Sequence, residues 1–532
     1  MVMSLTEVAE KIPERRWWAL GAVCLGLFMA LLDVTIVNVA LPAISSDLQT
    51  NFSGLEWIVN AYTLVFAVVL VPASRLGDIF GRKTLFMLGI AVFTIGSLLC
   101  GLSGGIAMLN MSRGIQGLGA SAMMPLSLAI ISATFSGKQR GIAIGVWGGV
   151  SGLATGIGPV IGGLLVKHIG WQSIFYLNIP VGIVAISLSL WAIKQSKDES
   201  AARNIDLFGF IAFTVFMFCL IYGLIQVNQE GNDWTSPHVW QLLGLSLLAL
   251  VVFIAGELRI KHPMVDPRLF RIPSFTGSAI AAFCLSAGMY ALLFNLTIYL
   301  QGFLGLDAME SGVRLIAFTA MALLFGPLAG ALMGKIGSKR LIVASMVLLT
   351  IGVYSMTHLS HHNAPSEWVV LLPGFIIAGI GSGLINPPIS NLAVEAVPVQ
   401  RVGMASGMNS VARQMGSAFG IALFGAILSS RYNSLVTDRV QSLQDNQLTG
   451  SAREQVIQAI ESAGPMAGSN GLAGIEYEAI FHNDPLLDTY RQIARASFVD
   501  GTIDIIRIAS VILAVGTVLC LVLIRKNSSI PS

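Results

Sequence analysis

Fourteen apolar stretches of roughly 20 residues, parted by short polar segments, fill most of this 532-residue sequence, and an ordinary soluble fold has no place for them. A helix of about 20 residues crosses the hydrocarbon core of a bilayer, and in lipid each backbone N–H and C=O must be paired inside the segment or a closed barrel. Stretches this long select helices. They run near residues 17–41, 55–74, 84–103, 106–133, 141–166, 173–193, 205–227, 238–257, 275–301, 312–334, 340–358, 368–395, 404–430 and 502–524. Only 11% of residues are charged, against roughly 25% in soluble proteins. The expected fold class is therefore an all-α polytopic membrane protein with 14 transmembrane spans.

The first stretch is too long for a signal-peptide core and no small-residue cleavage site follows it, so it reads as a retained span. An N-terminus on the cytoplasmic side puts 21 Lys and Arg in the inside segments and 7 outside. Five of those seven fall in one long loop, 431–501, where charge carries little topological weight. The count supports an even number of spans, cytoplasmic N- and C-termini and a place in the cytoplasmic (plasma) membrane. Cys24, Cys100, Cys219, Cys284 and Cys520 all lie in apolar runs without metal-ligand or disulfide spacing. Loop 431–501 is polar, and its segment SAREQVIQAIES, Ser451 to Ser462, has helical spacing. A helical hairpin or a partly ordered loop is expected there.

A repeat organises the chain. SRLGDIFGRK after span 2 aligns with GALMGKIGSKR after span 10, which sets Gly81 over Gly337 and Lys83 over Lys339. The offset of eight implies two six-helix bundles, residues 17–193 and 275–526, with two additional helices in the linker 194–274 and short tails at 1–16 and 527–532. Repeated halves commonly place a substrate site between them near mid-membrane. In the first loop Gly81 suits a tight turn, Asp78 can sit against a helix N-terminus, and Arg82 and Lys83 can pair with acids or lipid headgroups.

Asp33 lies inside span 1 and Arg113 inside span 4, each roughly 10–14 Å below the outer surface at 1.5 Å per residue. An intramembrane charge costs about 2.5–3.5 kcal/mol on insertion scales and is functional or paired by default. Desolvation disfavours the charged form of Asp33, which suits it to take up and release a proton. Arg113 at matched depth is its expected partner, with Gln116 one turn away on the same face. In span 5, Gly145, Gly149, Gly152, Gly156, Pro159 and Gly163 recur at steps of three and four, leaving one face bare for a close helix neighbour or a sliding surface. Arg413 is a further intramembrane charge, in span 13, with no partner legible. Polar residues within spans that are candidates for a substrate cavity are Asn38, Trp57, Asn60, Tyr62, Gln116, Tyr290, Asn295, Tyr299 and Arg413. Belt or core roles compete for each of these. His358, His361 and His362 read as a solvated loop end rather than a metal site.

Four segments taken together, LDVTIVNVALP (Leu32 to Pro42), RLGDIFGRK, LNMSRGIQGLGA (Leu109 to Ala120) and GVSGLATGIGPVIGG (Gly149 to Gly163), resemble the motifs of the major facilitator superfamily, and WQSIFYLNIPVG (Trp171 to Gly182) follows them. The span count and the first and last segments resemble its fourteen-span drug:proton antiporter branch of EmrB/QacA type. Ser74 departs from the glycine that usually opens the family loop, and Gly334 stands where Asp78 stands in the first half. The resemblance implies a major facilitator fold and export of hydrophobic, often cationic small molecules in exchange for protons. It also implies a conformational role for Gly149 to Gly163, Gly158 included.

No GxxxxGK[ST] loop, nucleophile triad or metal cluster is present in the sequence, so an enzyme is not expected, and neither ATP nor any other cofactor is. The proton gradient is the expected energy source. Expected partners are a small-molecule substrate, protons and membrane lipid; no basic tract points to nucleic acid, and an adaptor protein is possible but not indicated. Two other readings remain: a dedicated exporter of one metabolite, antibiotic, siderophore or lipid, and a receptor or scaffold acting through the outer loop.

Overall fold

A computed structural model describes residues 12–50, 52–197, 206–227, 234–260, 265–359, 364–395, 402–443, 450–470 and 487–524, with 263, 361, 362 and 397. Expectations that concern the chain termini, Arg203, Lys261, Arg401 and parts 444–449 and 471–486 of the long loop lie outside those residues. Among the described residues fourteen helices are long and apolar enough to cross a membrane. They are α1 (Arg15–Leu41), α2 (Trp57–Phe80), α3 (Arg82–Gly101), α4 (Ile106–Thr134), α5 (Gln139–His168), α6 (Ser173–Ala192), α7 (Leu207–Gln226), α8 (Pro237–Glu257), α9 (Pro273–Phe303), α10 (Met309–Ile336), α11 (Ser338–Ser355), α12 (Pro365–Glu395), α13 (Met404–Gln441) and α14 (Leu487–Leu523). Helices α1–α6 and α9–α14 form two six-helix bundles. The inserted pair α7 and α8 packs through Phe213 on Phe253, ring centroids 5.4 Å apart, and α7 reaches α2 through Tyr222 on Trp57 at 6.1 Å.

The bundles meet through the glycine stripe. A Cβ added at Gly145 would sit 2.7 Å from the Gly326 carbonyl oxygen, one at Gly149 3.2 Å from that of Leu323, and one at Gly152 3.1 Å from the Ala322 Cβ. Gly156 faces Thr319, Gly163 faces Met309, and Gly312 of α10 faces Pro159. Small residues let backbones of α5 and α10 touch along most of their length, where dispersion rather than the hydrophobic effect holds helices together in lipid. Gly158 lies on another side of α5, against Thr35 of α1. The pseudo-equivalent pair, α13 and α2, approaches at Gly407 and Ser74, 3.1 Å apart by the same measure, and Ser406 Oγ donates to the Pro125 carbonyl at 3.1 Å. One apolar cluster joins Val394, Val402 and Ala405 of the second half to Val71, Leu126 and Ile130 of the first. It sits toward the face that carries the N-terminus; below, this is the N-terminal face and its opposite is the far face.

Helices α13 and α14 outrun the bilayer. Their 38 and 37 residues correspond to about 55 Å of helix, against a hydrocarbon core of about 30 Å. The surplus projects from the far face, where Tyr432, Val436 and Val440 of α13 pack with Tyr490, Ala494 and Phe498 of α14 and with Val456, Ile457 and Ile460 of a loop helix, Gly450–Ser469. Arg431 pairs with Asp504 at 2.8 Å, Arg439 pairs with Asp500, and Thr437 Oγ1 donates to Glu461 at 2.6 Å. Much of segment 431–501 is thus a small helical cap. The sequence boundaries at 430 and 502 fell short because this helix surface is polar and turns toward protein and water rather than lipid. His361 bonds Asp500 at 3.0 Å, and no metal-binding cluster occurs among the described residues.

The repeated loops share a backbone. Gly81 has φ 110° and Gly337 φ 83°, each at the N-cap of the following helix. An L side chain in that region costs roughly 1–2 kcal/mol. At Gly81 an added Cβ also meets Gln195, whereas at Gly337 nothing lies within 4 Å. Gly81→Ala is therefore expected to lose more thermal stability than Gly337→Ala, with the Gly337 loss reporting strain alone. Equal losses in thermal unfolding would mean that Gln195 simply yields.

Candidate functional site

Asp33 on α1 and Arg113 on α4 form a fully buried ion pair, Nη1 to Oδ2, at 0% and 1% side-chain exposure. Other donors complete the carboxylate: Gln116 Nε2 donates to Asp33 Oδ1 at 3.0 Å and Asn178 Nδ2 to the same oxygen at 3.2 Å. Arg113 Nε donates to the Ile58 carbonyl at 3.0 Å, and its Nη1 also donates to Gln116 Oε1 at 2.7 Å. The guanidinium carbon lies 4.5 Å from the Tyr62 ring centroid, a cation–π contact, and the Tyr62 hydroxyl donates to the Ala30 carbonyl at 3.3 Å. The arrangement surrounds the carboxylate with three side-chain donors, Arg113 at Oδ2 and Gln116 and Asn178 at Oδ1.

A second layer positions the donors. Gln116 Nε2 and Asn178 Nδ2 both donate to Ser97 Oγ, at 3.0 and 2.8 Å, and the Ser97 hydroxyl donates to the Phe175 carbonyl at 3.0 Å. Cys100 donates to Gln116 Oε1 at 3.2 Å. At the far end of the same segment Trp171 Nε1 donates to Asp47 Oδ2 at 2.8 Å. Sequence reasoning missed Ser97, Cys100 and Asn178 as site residues. Asn178 carried a signal, since it is an amide inside the apolar start of span 6 and within the quoted segment WQSIFYLNIPVG. Ser97 carried none, because a serine inside a membrane helix more often bonds its own backbone.

In the tight turn on the N-terminal face, Arg82 Nε and Nη2 reach Asp78 Oδ1 at 2.9 and 2.8 Å, both side chains buried. The Arg82 N–H donates to the Ser196 carbonyl at 2.9 Å, and Lys83 Nζ donates to the Leu190 carbonyl at 2.8 Å. The α2–α3 turn is thereby fastened to the segment that leaves α6.

The remaining cavity candidates divide. Trp57 packs on Tyr222 of the inserted pair, Asn60 is half-buried on α2, and Asn38 is exposed. Asn295 and Tyr299 are both buried inside the second half's apolar core, the Tyr299 ring stacked on Phe303 at 5.2 Å and Asn295 donating back to the Ala291 carbonyl at 3.1 Å. Tyr290 and Arg413 come together instead. Arg413 Nη1 donates to Asn386 Oδ1 at 2.5 Å, and Asn386 Nδ2 donates to the Tyr290 hydroxyl at 3.2 Å and to the Ser382 carbonyl at 2.9 Å. Asn386, also missed, stands directly before Pro387 and Pro388 inside α12. It faces Gly148 of α5 across the boundary between the halves, 3.5 Å from a Cβ added there.

A family model described as Major Facilitator Superfamily matches residues 23–421. The multidrug resistance protein Stp of Mycobacterium tuberculosis (strain CDC 1551 / Oshkosh) is 35% identical over 493 residues, 92% of this chain and 89% of that protein. The tetracenomycin C resistance and export protein of Streptomyces glaucescens is 33% identical over 431 residues, 81% of this chain and 79% of its own length. Among solved structures, that of the human organic anion transporter MFSD10 (TETRAN) is similar with a TM-score of 0.56 over 94% of this chain and 99% of that one, at 12% identity, a likeness of fold.

Proposed function

The chain belongs to the major facilitator superfamily of membrane transporters, and from that premise we propose that it is a proton-coupled antiporter exporting hydrophobic or cationic small molecules across the cytoplasmic membrane. The N-terminal face is the cytoplasmic one in this reading, as the Lys and Arg distribution favours. The observation that carries the proposal is the buried Asp33–Arg113 pair with its complete set of donors.

The cycle follows from charge. A proton arriving from the far side neutralises Asp33 and leaves Arg113 without its counter-ion, a costly state in low dielectric. The first half then relaxes to an arrangement in which Arg113 finds other acceptors, and the opposite face opens. Thr35, two residues from Asp33, lies against Gly158 of α5, and the glycine stripe of α5 bears on α10. A change at Asp33 therefore has a short mechanical route to the surface between the halves. Release of the proton to the cytoplasm restores the pair. Each inward proton supplies about 2.3 kcal/mol per 100 mV of potential, and no cofactor takes part.

The relatives named for multidrug resistance and for tetracenomycin C resistance and export support export as the direction, and the second of these names also supports the narrower reading of a single antibiotic. The test is a panel of toxic compounds added to inverted, energised vesicles. Compounds that the protein moves are expected to drain the pH gradient only where the protein is present, several chemical classes doing so for a multidrug exporter and one for a dedicated exporter. Uptake that persists unchanged after a protonophore has abolished the gradient would remove proton coupling.

A further inference from the structure

The second half contains a half-buried intramembrane cation with no counter-ion among the described residues. Among the described residues Arg413 forms no ion pair, its Nη2 has no hydrogen-bond partner, and its one side-chain hydrogen bond is to the Asn386 oxygen. Arg113, by comparison, is neutralised by Asp33 and bonded at Nε and Nη1. An arginine inside the membrane that spends only part of its donors is an unfinished site, since a guanidinium offers a planar fork matched to a carboxylate.

The surroundings depart from regular helix on two further elements. Tyr290 closes a π-helical turn, Ser286–Tyr290, in α9. Asn386 precedes the two prolines of α12, which remove two backbone donors. Such turns inside membrane helices recur at functional positions because they free backbone groups and re-aim side chains. The cluster borders α5 at Gly148, hence the boundary between the halves, and Tyr290 and Arg413 are both half-buried rather than sealed in.

We infer that Arg413, held by Asn386 with Tyr290 beside it, is an anion-accepting subsite that takes the carboxylate of a lipophilic substrate through its free Nη2 edge. Building on the export reading, this narrows the substrate class: among hydrophobic compounds those with an acidic group are preferred, and a permanent cation gains nothing from Arg413. No bond is made or broken; the ligand exchanges hydration for a charge-assisted hydrogen bond.

The experiment uses the full-length purified protein and pairs of aromatic carboxylates with their methyl esters, naphthoate and anthracene carboxylate among them. Equilibrium binding is measured for the wild type, Arg413→Gln and Arg413→Lys, with the vesicle panel run in parallel. The wild type is expected to bind each acid at least about tenfold tighter than its ester, the factor that one charge-assisted hydrogen bond contributes. Arg413→Gln is expected to erase that preference while ester affinity stays level, and Arg413→Lys to keep part of it. Removing a half-buried charge that has no ion-pair partner among the described residues does not threaten the fold, and a thermal melt of each variant checks this. Equal binding of acid and ester by the wild type, or an undiminished preference in Arg413→Gln, overturns the subsite. Rejection of every acid while the vesicle panel still shows export overturns the subsite and leaves the export reading standing. Failure of the whole panel to move removes the export reading and the subsite with it.

Discussion

Asp33→Asn is expected to abolish substrate-coupled proton movement in vesicles while the protein still inserts and folds. The amide cannot carry a proton through the cycle, so coupled flux should fall to the level of empty vesicles. Stability should fall as well, because Arg113 keeps its charge and loses its counter-ion. Breaking a buried pair from one side costs about 3–5 kcal/mol, and the Asn carbonyl, which still accepts one bond, holds the loss to the lower end of that range. Asp33→Asn combined with Arg113→Gln should recover most of the thermal stability and none of the coupling. That combination separates the two roles, since a pair that only fixed packing would regain transport along with stability. Full coupled transport by Asp33→Asn would end the proposal.

The second large effect is expected at the α5–α10 contact. A Cβ at Gly330 would collide with the Gly141 carbonyl, and one at Gly145 would lie 2.7 Å from the Gly326 carbonyl and 3.0 Å from the Pro327 Cα. These neighbours are backbone and cannot rotate away, so the helices must separate. Overpacking of this kind costs about 1–3 kcal/mol, and a pair of halves that must move against each other pays in rate too. Gly330→Ala and Gly145→Ala should each reduce transport at least tenfold, with the rate loss taken as roughly the upper part of that energy. Gly334→Ala, one turn further along α10 with nothing within 4 Å, is the control and should transport normally. Normal transport by Gly330→Ala with lowered thermal stability would reduce the stripe to packing alone.

The site was partly legible before any coordinate. Asp33 and Arg113 announced themselves because a charge inside an apolar stretch has few explanations, and their depths could be counted from the ends of their spans. The glycine stripe was legible because its period is that of one helix face, yet the sequence could not say which helix it met. Ser97 and Asn386 were illegible as site residues, and Asn178 was marked only by its place in a quoted segment: an amide or hydroxyl in a span acquires meaning only from what another helix brings to it. Asn295 and Tyr299 show the same limit, since polarity within a span does not state which way the side chain turns.

Helix number, the apolar character that places them in a membrane, the doubled six-helix plan and the turns at Gly81 and Gly337 are all local properties, fixed by span length, charge placement and backbone freedom along the chain. Which side chains meet is not local. The docking of Arg113 on Asp33, of α5 on α10 and of Arg413 on Asn386 joins residues 27 to 189 positions apart, and only the packing of whole helices determines which donors reach which acceptors. The far-face cap belongs to that second class, because polar helix surfaces there are held by one another rather than by lipid, and no single segment carries the record of its partner.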